Sequence, residues 1–250
     1  MATDKVSIIL PNYNSSEYLE ETLKSIIGQT YEDWNLYIID DNSNIETLEI
    51  LKKYENTKKI KIIYLKENKG AGHCRNLGIK QSHSQYLAFI DSDDLWMKDK
   101  LHEQINFMEK NNCKFSYTAY SAFNEKSERE RSVYPPKQFN YQDFIKNTSI
   151  ATSTMIIRRE ILDNIEFSNT KICEDYFFKC SLLKKIGRAY LLEKILTKYR
   201  IRKNSLQSNK LKNLYWIWKI NREMNELGFL ENLYSIFMIS LNSLRKYGYK

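Results

Sequence analysis

Two hydrophobic periods alternate along the first 120 residues. Val6–Leu10 is a short apolar run ended by Pro11, the mark of a buried strand. Leu19, Leu23, Ile26 and Ile27 recur at helical spacing on one face, and Gly28 closes that helix. Trp34–Ile39 is predicted as a second strand ended by Asp40-Asp41, 45–54 as a helix, and Ile60–Leu65 as a third strand. Gly70 and Gly72 lead into a helix running to Gln81. Tyr86–Ile90 is a fourth strand closed by Asp91-Ser92-Asp93-Asp94, and a helix to Lys110 precedes a strand over 113–120.

Strand and helix in alternation predict the α/β class, a mostly parallel Rossmann-like sheet with helices on both faces. Right-handed crossovers put the C-terminal ends of the strands on one edge, where such sheets bind ligands. Asp40-Asp41 and the 91–94 cluster both fall on that edge.

The second half reads differently. Residues 121–140 are polar, contain Pro135-Pro136, and are expected to be a surface excursion. Residues 152–158 are a candidate strand and 175–185 a helix with Phe177, Phe178, Leu182 and Leu183 as its apolar positions. Tyr190–Leu192 and Leu196–Tyr199 are short strands at best. Helical spacing returns from Leu211 to Tyr247, interrupted near Gly228. Nothing marks a flexible linker, so one compact unit with a C-terminal helical addition is expected.

Composition narrows the picture modestly. The chain has 250 residues, 42% hydrophobic and 28% charged, which suits a globular protein. Lys+Arg number 39 against 31 Asp+Glu, and the net charge of +8 favours an anionic partner without identifying it. Cys74, Cys113, Cys173 and Cys180 form no CxxC pair and no zinc-type cluster with His73, His83 or His102, and read as free thiols of a reducing compartment. The N-terminal residues lack the apolar core of a signal peptide. The apolar run over 233–241 is far short of the ~20 residues that span a bilayer. A cytoplasmic protein is expected. No RNA- or DNA-binding signature is present, so nucleic acid is not an expected partner.

The candidate chemistry is acidic. Asp40-Asp41 suits either a ligand contact or the N-cap of the next helix. Three carboxylates within residues 91–94 repel one another and call for a cation, a Lys or Arg, or full solvation. Asp91 and Asp93 project alike if the chain there stays extended. A hard divalent ion accepts carboxylate and phosphate oxygens together, which suits metal-diphosphate binding. Calcium binding or simple capping also fits. Glu174-Asp175 suits a helix N-terminus or a general base. The dinucleotide fingerprint, the phosphate loop and the Gly-x-Ser-x-Gly elbow are absent, and Gly70-Ala71-Gly72 is too short a signal to carry weight.

These residues together resemble the family 2 glycosyltransferases with the GT-A fold. Val6–Asn14 looks like that family's first strand and nucleotide loop, and Leu23–Thr30 like its first helix. Ile38-Ile39-Asp40-Asp41-Asn42-Ser43 matches its second-strand motif, Arg75-Asn76-Leu77-Gly78 its Arg-Asn-x-Gly helix, 91–94 its Asp-x-Asp region, and Glu174-Asp175 its catalytic-base motif. His73-Cys74 departs from the small residues common before Arg-Asn.

The resemblance implies a catalytic GT-A domain over 1–210, with a nucleotide-sugar half (1–120) and an acceptor half (121–210), followed by an amphipathic helical segment at 211–250. It implies a sugar-nucleotide donor, usually UDP-linked, and inverting transfer to a hydroxyl of a saccharide or lipid-linked saccharide in surface polysaccharide or lipo-oligosaccharide synthesis. Pro11 and Tyr13 would line the base pocket, with Asp41, and more weakly Asp40, accepting from the base. Arg75 would close the pocket, and Asp91 and Ser92 would reach ribose or sugar. Asp93 would ligate Mn²⁺ or Mg²⁺. Asp175 would be the base, with Glu174 orienting it or the acceptor. Asp94, Arg202, Lys203 and Ser205 are candidate contacts to the donor sugar or diphosphate. Two alternatives stay open, a nucleotidyl- or phosphosugar-transferring enzyme and a non-catalytic sugar-nucleotide-binding partner subunit. The aromatic and basic residues of 211–250 suit either a peripheral contact with an anionic membrane or packing on protein, including another subunit.

Overall fold

The computed structural model describes residues 5–124, 129–202 and 209–247. Four parallel strands form one half of the sheet. They are β1 (Val6–Asn12), β2 (Trp34–Asp40), β3 (Ile60–Tyr64) and β4 (Tyr86–Phe89), in the order β3-β2-β1-β4. The chain winds from β1 to β3 on one side, then returns to place β4 on the other. The strand order therefore reverses between β1 and β4, and a crevice opens outside their C-terminal ends.

β1 is buried along its whole length. Val6, Ile8 and Leu10 face a core built with α1 (Leu19–Ile27) and α4 (Lys100–Lys110), while Ile9 faces the opposite core. That alternation is the two-residue period of a strand covered on both faces. Pro11 is tolerated in this central strand because its nitrogen points toward the β4 side, where pairing has already ended at Ile9 and Phe89. In α1 the buried positions are Leu19, Thr22, Leu23 and Ile26. Ile27 is exposed, since it lies about 100° around the helix from Ile26.

The sheet is mixed rather than a simple parallel continuation. β9 (Ile156–Arg158) inserts antiparallel between β4 and β6 (Phe115–Asn124). β10 (Ala189–Arg200) runs parallel to β6, and β5 (Leu95–Trp96) caps the sheet edge antiparallel to β10. The expected surface excursion at 121–140 is instead largely sheet: β6 continues to Asn124, β7 (Arg129–Val133) folds back on it, and β8 (Gln138–Phe139) pairs with the start of β10. Its polar composition is that of an edge hairpin, where half the side chains face water. β10 is one strand of 12 residues with register shifts at Leu192/Ile195 and Ile195/Thr197. Those bulges interrupt the alternation, which is why two short strands were expected.

The remaining helices are α2 (Ile45–Lys52), α3 (Ala71–Gln81), the single turn α5 (Tyr141–Phe144), α6 (Glu174–Ile186), α7 (Lys210–Glu223) and α8 (Phe229–Tyr247). α6 closes the second core through Phe178, which joins Phe89 and the stacked ring of Phe167 at 3.9 Å. The break between α7 and α8 falls at Gly228, as expected. All four cysteines are free and buried. Among the described residues no helix is long and apolar enough to cross a membrane.

Candidate active site

The crevice collects four loops. Tyr13 and Asn14 follow β1, Asp41 and Asn42 follow β2, residues 91–94 follow β4, and Glu174-Asp175 open α6. Asn14, Asn42 and Cys173 adopt left-handed backbone at φ 46°, 64° and 61°. Asparagine tolerates that region, but cysteine rarely occupies it. Cys173 is the residue before α6, so an unfavourable conformation sits where the chain turns Glu174 and Asp175 into the crevice.

Arg75, near the start of α3, is the hub. It is 4% exposed, and its two terminal nitrogens divide between two carboxylates. Nη2 donates to Asp91 Oδ1 at 2.6 Å and Nη1 to Glu174 Oε1 at 2.7 Å. Its guanidinium lies 5.2 Å from the Phe167 ring centre. Burial alone would lower the Arg75 pKa, but Asp91, Glu174 and Asp175 hold it raised. Burial raises Glu174, partly offset by Arg75.

Asp175 has a different partner. Lys179, one turn on and buried, donates to its Oδ2 at 2.6 Å, and Thr152 Oγ1 donates to the same oxygen at 2.7 Å. Burial works to raise this carboxyl, but Lys179 brings it down to about 2. Both contacts converge on Oδ2, which leaves Oδ1 for a further donor.

The 91–94 loop is a turn rather than an extended segment, with Asp94 N donating to Asp91 O. Its three carboxylates therefore diverge. Asp91 meets Arg75. Asp93 Oδ2 meets Arg202 Nε at 2.7 Å, and burial raises the Asp93 carboxyl to about 6. Asp94 turns into the protein, where Ser153 Oγ and the Arg200 amide donate to it. Ser92 accepts from Thr22 Oγ1 through its carbonyl, which ties the loop to α1.

On the β2 side, Asp40 accepts from Asn12 Nδ2 at 2.7 Å and from the Ser43 amide at 3.0 Å. Asp41 accepts from the Lys69 and Gly70 amides at 2.7 and 2.8 Å and so anchors the loop before α3. Tyr13 is 52% exposed at the mouth, an aromatic face with no ring partner among the described residues. Lys203 and Ser205 lie outside the described residues.

Several supporting residues escaped the sequence reading. Residues 152–158, expected as one strand, begin with a 3-10 turn at Thr152–Thr154, closed by Thr154 Oγ1 donating to Ala151 O. That turn serves Asp175 through Thr152 and both Asp91 N and Asp94 through Ser153. No local signal marks it. Lys179 was findable, because it stands four residues after Asp175 on a helix. Arg200 is clamped between the Tyr18 and Phe123 rings and binds Asp93 O. Gly72 is required by close approach: a Cβ there would sit 2.6 Å from Ser168 O and 3.0 Å from Glu174 Cγ.

For a metal, no group of three His, Cys, Asp or Glu side chains converges among the described residues. Asp93 still fits a hard cation. It offers carboxylate oxygen, it is desolvated enough to be poorly stable as a free anion, and its present counter-ion is the half-exposed Arg202. A Mg²⁺-type site with one or two carboxylates, completed by substrate phosphate oxygens, matches that donor set.

Comparison with known proteins places the chain in a family. The model of glycosyl transferase family 2 matches residues 7–166. TuaG of Bacillus subtilis strain 168, named for teichuronic acid biosynthesis, is 36% identical over 96% of both chains. The Escherichia coli UDP-Glc:alpha-D-GlcNAc-diphosphoundecaprenol beta-1,3-glucosyltransferase WfgD is 34% identical over 86% of this chain and 84% of its own. Among solved structures, S. aureus TarS 1-349 in complex with UDP-GlcNAc superposes with a TM-score of 0.73 at 23% identity, over 98% of this chain and 73% of that one. This last likeness concerns the fold.

Proposed function

The chain belongs to glycosyl transferase family 2, and on that premise we propose that it transfers a hexosyl group, with inversion, from a UDP-linked donor to a hydroxyl of a saccharide carried on a polyprenyl diphosphate. The observation that carries this reading is the fork of Arg75, which ties Asp91 on the donor side of the crevice to Glu174 on the acceptor side. The nature of the acceptor rests on the names of the E. coli relatives.

In this reading the uracil stacks on the exposed Tyr13 ring beside Pro11. Asp41 uses its remaining lone pairs to accept from the base, while Asp40 holds the loop through Asn12 and Ser43. Asp91 and Ser92 meet ribose or sugar. Arg202 and, in the segment beyond it, Lys203 and Ser205 meet the diphosphate. Asp94 supports the loop from below. Asp93 would hold Mn²⁺ or Mg²⁺, which supplies Lewis-acid relief of the charge growing on the leaving diphosphate.

Asp175 takes the acceptor proton on Oδ1. A carboxyl held down near 2 is a weak base toward a resting alcohol. The acceptor oxygen becomes acidic as its bond to the anomeric carbon forms, so the proton moves late, when a weak base suffices. Glu174, fixed by Arg75, orients the incoming hydroxyl. Arg75 thus couples donor seating to the posture of the acceptor side.

The test is a panel of nucleotide sugars with Mn²⁺, scored by thermal shift and then by product. Stabilisation by UDP-hexoses and release of UDP with a glycosylated polyprenyl-linked acceptor are expected. Release of pyrophosphate would instead support nucleotidyl transfer, and binding without turnover would support a non-catalytic partner subunit.

A further inference from the structure

α8 is built inside out. Its buried side carries Asn232 and Ser235, 0% and 1% exposed, together with Ile239. These polar groups bond inward: Asn232 accepts from Asn221 and donates to Trp218 O, Ser235 donates to Ile145 O, and Asn242 donates to Lys146 O. Polar anchoring of this kind fixes the helix in one rotational setting, because turning it would strand buried amides.

The opposite side carries Leu230, Leu233, Tyr234, Phe237, Leu241 and Leu244. At 100° per residue these fall within roughly 100° of arc, a complete apolar stripe. Leu230 is 77% exposed and Phe237 61%. Isolated exposed leucines are ordinary, but a contiguous stripe on a helix already docked to its own protein marks an interaction site.

The spacing and the flanking charges of the stripe fit a second copy of the same helix. Leu230 stands seven positions before Phe237 and Leu244 seven after; Leu233 stands four before and Leu241 four after. The leucines of the stripe are therefore placed symmetrically about Phe237, while Tyr234, three positions before it, answers to Ser240 three positions after. A two-fold axis there, normal to two antiparallel helices, sets Leu230 against Leu244, Leu233 against Leu241, and Phe237 against itself. An isologous contact requires that each pair related by the axis be compatible, and the leucine pairs meet that condition. The charges obey the same axis. Glu231 and Arg245 lie on one flank of the stripe near its two ends, so the rotation brings Glu231 within about half a turn of Arg245 of the second copy.

We propose that the chain forms a two-fold dimer through an antiparallel α8–α8 seam centred on Phe237. Covering the stripe on both copies removes roughly 1,000 Å² of surface, close to the lower bound for specific interfaces, so the dimer is reversible. The site crevice is built within one copy, and the seam serves assembly rather than chemistry.

Analytical ultracentrifugation of the full chain between 1 and ~100 μM tests this. The wild type should show a monomer–dimer equilibrium that shifts with concentration. Phe237→Lys places two ammonium groups face to face at the axis and should be monomeric throughout, with unchanged circular dichroism and UDP affinity, since Phe237 supports no core. Glu231→Arg should weaken the dimer at least several-fold, and Glu231→Arg combined with Arg245→Glu should restore it. A wild type that stays monomeric across the range, or a Phe237→Lys variant that dimerises like the wild type, would overturn the proposal. So would a monomer whose stripe instead binds vesicles of phosphatidylglycerol and is released from them by Phe237→Lys.

Discussion

Arg75 Nη1 donates to Glu174 Oε1 at 2.7 Å across 99 positions of sequence, and with Nη2 on Asp91 the same side chain links the loop after β4 to the start of α6. Arg75 itself is nearly dry, with Glu174 mostly buried and Asp91 a third exposed, so its removal leaves two carboxylates without their cation. Arg75→Ala should cost roughly 3–5 kcal/mol of stability, read by chemical denaturation, and abolish turnover. Arg75→Lys keeps the charge but reaches only one carboxylate well. It should fold, and its kcat should fall at least tenfold.

Asp175→Asn should keep UDP affinity within a few-fold and lower kcat by roughly 10²–10⁴. Glu174→Gln should cost less. The same Asp175 variant reports on stability, because the folded carboxyl sits near 2, below the ordinary 3.8. Its contribution, about 2 kcal/mol, is present above pH 3.8 and fades as pH falls toward 2. The gap in unfolding free energy between wild type and Asp175→Asn should therefore narrow on acidification. A constant gap together with unchanged kcat would remove Asp175 as the base.

Asp93 behaves oppositely. Its folded carboxyl is raised to about 6, so between pH 3.8 and 6 the folded state holds the extra proton. In chelator, the wild type should gain stability on the order of 1–3 kcal/mol from this group as pH falls from 7 to 4. Asp93→Asn should be more stable than wild type at pH 7, with the difference shrinking toward pH 4. The same variant should lose metal-dependent UDP binding in calorimetry, and equal UDP affinity in Mn²⁺ and in chelator for the wild type would sink the metal assignment.

Lys100 is fully buried against Trp96, donates to Gln104 Oε1 and has no acidic partner among its described contacts. Burial lowers it to about 7, so the unfolded state binds more protons between pH 7 and 10.5. Stability should rise with pH across that window. Lys100→Met should stabilise the protein by roughly 2 kcal/mol at or below pH 7, with the gain shrinking toward pH 10. Melting curves of both proteins across pH 6–10 check the sign.

Gly72→Ala adds a methyl 2.6 Å from Ser168 O and 3.0 Å from Glu174 Cγ. The carbonyl belongs to backbone and cannot swing aside, so α3 or the 168 loop must shift. Lower stability, by about 1–3 kcal/mol, and a fall in kcat larger than in UDP affinity are expected. Normal kcat would show that Glu174 tolerates displacement.

Much of this protein is decided locally. The alternation of short apolar runs with helical spacing yields the β1–β4 half of the sheet, because burial of one face or one stripe is a property of neighbouring residues. The same alternation puts Tyr13, Asp41 and Asp91–Asp94 at one edge, since every parallel strand ends there. Five of the six motifs sit in these local elements, and only Glu174-Asp175, at the start of α6, lies beyond them.

What the sequence could not decide is pairing over distance. β9 inserts antiparallel between β4 and β6, although nothing in Ile156–Arg158 specifies a neighbour; strand order is settled by which edge is left to cover. The roles within the acidic clusters have the same origin. Asp91, Asp93 and Asp94 read alike in sequence, yet they meet Arg75, Arg202 and Ser153, and only the turn at 91–94 separates them. Asp175 and Glu174 are adjacent letters with opposite electrostatic fates, because one faces Lys179 on its own helix and the other faces Arg75 from α3. A carboxylate's chemistry is set by the cation the fold brings to it, and that cation is usually far away in the chain.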